Sequence, residues 1–215
     1  MRRVKHRVKR HSQNIIASHV QNNLREYIIA SLIFVIGILL GISFINNLSD
    51  LQINEVKTYI TSSISELKSN AEINTTLILK ETLKDNLILV FILWLMGSTV
   101  IGLLIVYLIV CFKGFTLGYT ISMIVYSLGV GKGIVFLIFS MLLKNIVTIP
   151  CIIGLAVSGM KLSKSIMQDR RRDNIKLEIL RHTLFCIFIL IVLTLITFAE
   201  IFMTKLLVKY CIKYI

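Results

Sequence analysis

Charge is what this sequence has least of. Only 16% of its 215 residues are Asp, Glu, Lys or Arg, against about 25% in an ordinary soluble domain. Acids are scarcest: 11, against 24 Lys and Arg, for a formal charge of +13. There is one proline, one tryptophan, and four cysteines with no CxxC pair. So little charge excludes a disordered chain. One proline excludes collagen, and isolated cysteines exclude a disulfide scaffold. The residues of catalysis are equally thin. His6, His11, His19 and His182 do not fall at HExxH spacing and sit by the cytoplasmic interface of the topology argued below. No apolar run therefore has a central His to activate a serine, and none contains an Asp for aspartyl proteolysis. Gly129-Val130-Gly131-Lys132-Gly133 has neither the spacing nor the hydroxyl of a phosphate loop and reads as a tight external turn. The sequence points to no catalytic residue, no metal site, no cofactor and no enzyme.

What is abundant is apolar surface, at 56% of residues. A membrane helix needs about 20 mainly apolar residues. Four runs qualify. Tyr27–Ile45 and Leu87–Phe112 carry no charge, Ile134–Met160 carries Lys144, and Thr183–Thr204 carries Glu200. A fifth run, Phe115–Val130, covers roughly 24 Å and spans only if Lys113 snorkels. Residues 1–26 carry seven Lys/Arg and one acid, 46–86 four Lys and six acids, and 161–182 seven Lys/Arg and three acids. Basic segments stay cytoplasmic, so 1–26 and 161–182 lie inside and 46–86 outside, which requires the short run to cross. The positive charge is thus an orientation signal. Residues 1–26 also lack the interleaved aromatics of a nucleic-acid binder.

The expected architecture is all-α: a polytopic membrane protein with a bundle of five transmembrane helices plus interfacial amphipathic helices. Its parts are a basic cytoplasmic tail and juxtamembrane helix (1–26), a first span (27–45), an external amphipathic loop (46–86), a second span (87–112), a short third span (113–130), a kinked fourth span (134–160), a basic cytoplasmic loop (161–182), a fifth span (183–204) and a tail (205–215). The first run reads as an uncleaved anchor. Ile16, Val20, Leu24 and Tyr27 make a helical stripe suited to lying on anionic lipid.

Three constellations stand out. Gly37/Gly41 and Gly114/Gly118 form two GxxxG pairs, which let helix backbones approach, either within the bundle or against another subunit of a homo-oligomer. In the outer loop, Val56, Ile60, Ile64 and Leu67 line one helix face. That face must bury against the membrane surface, the protein's own spans, a second copy or a partner. In the fourth span, Lys144, Asn145, Thr148 and Pro150 form a polar kink. The proline frees a carbonyl near residue 146, and the lysine must face an interior or a wet cavity, with Glu200 as a possible ion-pair partner. The kink reads as a structural hydrogen-bond knot or as the element of a small permease or channel. Cys111, Cys151, Cys186 and Cys211 read as small apolar filler.

Several of these stretches resemble the stage II sporulation protein M family. Ser18–Ser49 carries a His-Val-Gln element (His19, Val20, Gln21), a first span with Gly37 and Gly41, and an Asn-x-Leu exit (Asn46, Leu48). Phe112–Thr120 and Lys144–Pro150 resemble the family's Lys-Gly-x-x-x-Gly-(Phe/Tyr)-Thr and Asn-x-x-x-x-Pro segments. Lys144 departs from the pattern, where a neutral residue is usual. The resemblance implies a non-catalytic membrane anchor of the engulfing mother-cell membrane at the sporulation septum. It would assemble two peptidoglycan-degrading partners, stage II sporulation proteins D and P.

Overall fold

The computed structural model describes residues 20–21, 23–69, 75–99, 102–138, 141, 143–168 and 172–206. Their elements are all helical: α1 (Leu24–Ile45), α2 (Asp50–Ser69), α3 (Thr75–Gly97), α4 (Gly102–Leu128), α5 (Val130–Leu137), α6 (Leu143–Gln168) and α7 (Arg172–Leu206). In lipid a backbone must satisfy its own polar groups, and an uncharged run does so only as a helix. α1 is the plainest case, with mean window hydropathy 2.9.

Among the described residues four helices are long and apolar enough to cross a membrane: Leu24–Ile45, Gly102–Leu128, Lys144–Met167 and Ile175–Phe202. By this measure of length and composition the count is four, not the expected five. α3 is the helix that falls short by composition, although it runs along the bundle from the level of Thr197 to that of Gly159. Its first half carries Lys80, Glu81, Lys84 and Asp85, and its uncharged stretch, Asn86–Gly97, covers about 18 Å against roughly 30 Å of hydrocarbon.

The expected second span, 87–112, is divided. α3 stops at Gly97, the chain turns at Ser98 and Thr99, and α4 runs from Gly102 to Leu128. Ser98 and Thr99 return their hydroxyls to the carbonyls of Trp94 (2.8 Å) and Met96 (3.0 Å), occupying acceptors a continuing helix would use. Gly102 lies so close to the Met96 carbonyl that a side chain would overlap it. Lys113 is therefore no connector between spans; it stands mid-way along α4. The expected turn at 129–133 contracts to Gly129, whose φ of 79° reverses the chain into α5. The expected fourth span, 134–160, begins instead at Leu143 and runs on to Gln168, straight through Pro150. Between α5 and α6, Ile138 and Met141 take π-helical turns. α1 starts at Leu24 and α7 at Arg172, both earlier than the hydropathy boundaries.

α2 opens with a capping box, in which the Ser49 amide donates to Gln52 Oε1 (3.1 Å) and the Gln52 amide to Ser49 Oγ (3.4 Å). The basic tail before Val20, with Ile16, His6, His11 and His19, and the C-terminal tail with Cys211 lie outside the described residues.

α1 packs chiefly on α4, and α7 on α6 and α3. α6 touches α1, α3, α4 and α7 and is the most buried helix, with Ile152, Leu155, Ala156, Val157, Met160 and Leu162 in the core. The pairings fix direction. Phe34 meets Gly114 and Ile38 meets Gly118, so α1 and α4 run parallel. Lys164 Nζ reaches Glu26 Oε1 (2.6 Å) and Ser163 Oγ donates to the Thr99 carbonyl (2.9 Å). One end of the bundle thus gathers the start of α1, the turn at Ser98 and Thr99, and the end of α6. Lys144 and Glu200 meet at the opposite end.

Candidate functional site

The glycine pairs meet each other. A methyl added at Gly37 would overlap the Cys111 carbonyl, and one at Gly41 the Phe115 carbonyl. In return, Gly114 lies on the Phe34 carbonyl and Gly118 on the Ile38 carbonyl. The two GxxxG motifs form one reciprocal crossing inside the chain, where backbone meets backbone without an intervening side chain. Phe44 seals its upper end edge-on against Phe115 and Tyr119, at 5.5 and 6.2 Å between ring centres.

The polar residues of the fourth span separate. Lys144 Nζ forms an ion pair with Glu200 Oε1 at 2.8 Å. Asn145 and Thr148 are half-buried on α6, and Pro150 is exposed. Near the pair, Asn86 Nδ2 donates to Thr197 Oγ1 (3.1 Å), tying α3 to α7. Lys113 lies in the same layer, within the electrostatic reach of Asp85 and Lys144. Bringing Asp85, Asn86, Lys113, Lys144, Thr197 and Glu200 to one level was not apparent from the sequence, which had placed Asp85 in the external loop and Lys113 at the start of the short third span.

The sequence reading also missed a seam at the other end. His182 is 2% exposed, buried between helices. Its Nδ1 lies 2.9 Å from Ser158 Oγ and its Nε2 3.6 Å from Cys186 Sγ. It covers the point where α3 and α6 touch through Gly97 and Gly159. One turn away, Trp94 Nε1 donates to Thr183 Oγ1 (3.0 Å). A His–Ser pair invites comparison with a nucleophile and its base. Here the imidazole is bracketed by a hydroxyl, a thiol and two glycine backbones, an arrangement that satisfies a buried ring. The available signal was the small-residue set Gly97, Ser158 and Gly159. Among the described residues no group of three His, Cys, Asp or Glu is placed to hold a metal.

On the outer helix α2, Val56 and Ile60 are half-buried, and α4 is the bundle helix it touches. The side chains of Ile64 and Leu67 lie outside the described residues. Leu51 and Tyr59, on other faces, are 78% and 72% exposed. The face expected to meet a partner is thus partly taken up by the bundle, and the residues left standing out are different ones.

Residues 30–205 match a family model described as Stage II sporulation protein M. No curated protein and no solved structure matches the chain.

Proposed function

We propose that this chain, which belongs to the stage II sporulation protein M family, is a membrane scaffold that assembles and localises peptidoglycan-degrading enzymes at the sporulation septum. That it is a sporulation-related, multi-pass membrane protein follows from the family and from its four apolar helices. In the proposal the N-terminus is cytoplasmic and α2 lies outside, as the basic 1–26 and 161–182 segments favour. The hydrolases are the family's stage II sporulation proteins D and P. They carry the wall chemistry, and this chain ties it to membrane movement during engulfment.

The observation that carries this reading is α2. It is an amphipathic helix that touches α4, with Val56 and Ile60 half-buried and Leu51 and Tyr59 turned to the surroundings. Large exposed apolar side chains beside a polar rim mark interaction sites. The alternative, a small permease or channel built on the fourth span, loses its main feature, because Lys144 is engaged by Glu200.

Affinity capture from sporulating cells in mild detergent tests the scaffold. The two hydrolases should co-purify with the wild-type chain and be lost with Leu51→Asp plus Tyr59→Asp. Retained binding discards the α2 surface. A deletion strain should arrest engulfment with the hydrolases mislocalised. Normal engulfment with altered solute flux would favour the permease.

A further inference from the structure

An open groove of about 440 Å³ runs between α3 and α4. Its walls are Ile88 and Ile92 on one side and Ile105, Leu108 and Phe112 on the other. At one end stand Asp85 and Lys113. Lys113 forms no hydrogen bond or ion pair with any described residue, and neither does Asp85. An acid and a base in low dielectric attract strongly, yet these two face one groove without closing on each other. A bare ammonium part-way along an apolar helix is costly and marks a binding site by default.

We propose that this groove holds one phospholipid with a zwitterionic head, phosphatidylethanolamine, its phosphate on Lys113, its ammonium near Asp85 and an acyl chain along Ile88, Ile92, Ile105 and Leu108. Charge complementarity selects the occupant. An anionic lipid pairs with Lys113 but meets Asp85 with like charge. A phosphate and an ammonium joined by a two-carbon bridge answer both groups and fill the gap between them. The depth fits as well. On α3 the charged residues end at Asp85, and 86–97 is uncharged, so the polar boundary of the bilayer dips to the groove's charged end. From there the groove extends about 12 Å along α4, from Lys113 to Ile105, toward the turn at Ser98 and Thr99. The wall is apolar and accessible, with Leu108 and Phe112 more than half exposed, as an acyl chain requires.

The test uses the full chain reconstituted in vesicles of mixed phosphatidylethanolamine and phosphatidylglycerol, extracted in mild detergent and weighed with its retained lipid by native mass spectrometry. Wild type should keep one phosphatidylethanolamine in preference to phosphatidylglycerol. Lys113→Met and Asp85→Asn should each lower that retention about tenfold or more, the loss of one charge-assisted contact, while Lys132→Met leaves it unchanged. Ile92→Trp, which fills the groove and leaves both charges, should also expel the lipid, so the site is tested even if a charge variant misfolds. The exchanged pair Lys113→Asp plus Asp85→Lys should regain retention, because a zwitterion can bind reversed. Equal retention of both lipids, retention indifferent to Lys113→Met and Ile92→Trp, or a disulfide between copies through Leu108→Cys would each overturn the proposal. The last would show a second copy in the groove.

Discussion

Replacing Gly41 by alanine puts one methyl group against the carbonyl of Phe115 and close to the amide of Tyr119. These are backbone atoms of another helix, so no rotamer change relieves the overlap, and α1 must move away from α4. Overpacking of this kind costs about 1–3 kcal/mol. The retreat also weakens Cα–H···O contacts along the crossing, at about 0.5–1 kcal/mol each. Against this, alanine gains about 1 kcal/mol of helix propensity over glycine. Gly131 supplies the reference. It is also helical, and nothing lies within 4 Å of an added methyl there, so Gly131→Ala carries the gain alone. The difference between the two substitutions cancels propensity and should be about 3 kcal/mol, on the order of a hundredfold in the folding equilibrium. Reversible unfolding by dodecyl sulfate in mixed micelles, followed by circular dichroism, measures it. Gly118→Ala should behave like Gly41→Ala, and the double variant should cost less than the sum, because helices already parted leave room for the second methyl. If Gly41→Ala and Gly118→Ala both fall within about 0.5 kcal/mol of Gly131→Ala, the reciprocal crossing is not a close contact and the reasoning fails.

Other contacts yield sharper local outcomes. Lys144→Met and Glu200→Gln should each destabilise by about 1–3 kcal/mol and the pair by less than their sum; an additive cycle in the same unfolding assay would dissolve the ion pair. Trp94→Phe and Thr183→Val each remove the 3.0 Å hydrogen bond; each should cost about 1 kcal/mol, with the double no worse than the larger single. His182→Ala should cost about 2–4 kcal/mol by leaving a cavity against Gly97 and Gly159 and stranding Ser158 Oγ, and unchanged resistance to dodecyl sulfate would contradict that burial. A cysteine at Thr99 should react with an impermeant maleimide only from the cytoplasmic side, and one at Leu51 only from the outside. The opposite labelling would invert the proposed orientation.

The sequence made much of this legible, for a physical reason. Lipid removes every backbone option but the helix, so long uncharged runs translate directly into α1, α6 and α7. The GxxxG spacing likewise survives translation, since small residues four apart always share a face. What failed was reading boundaries from charge. Lys113 interrupts the apolar text between two runs, so it looked like a connector, whereas the connector is the uncharged Gly97-Ser98-Thr99. The clue was length: 26 residues from Leu87 to Phe112 cover about 39 Å, more than one crossing needs. The burial of His182 was missed because Arg181 beside it is exposed and charged. A helix turns 100° per residue, and only the glycine backbones of α3 and α6 reveal that the next position faces inward.

In lipid, apolar side chains gain little by leaving the tails for one another, so close packing and polar links must hold a bundle's register. The links here are distributed accordingly. The glycine crossing binds α1 to α4 without any hydrogen-bonded side chain. Several other contacts are pinned: α6 to α1 by Lys164–Glu26, α6 to the turn after α3 by Ser163 and the Thr99 carbonyl, α3 to α7 by Trp94–Thr183 and Asn86–Thr197, and α6 to α7 by Lys144–Glu200. α3 and α7 are thus fastened at two heights, and a one-turn slip, about 5.4 Å, would break both bonds together. Among the described residues no side-chain hydrogen bond or ion pair joins α3 to α4, and there the groove with Asp85 and Lys113 opens. A bundle that positions enzymes must keep one geometry. The α1–α4, α1–α6, α3–α7 and α6–α7 boundaries of this one are zipped by glycine or pinned by polar side chains, while the boundary where a lipid is proposed to sit has neither.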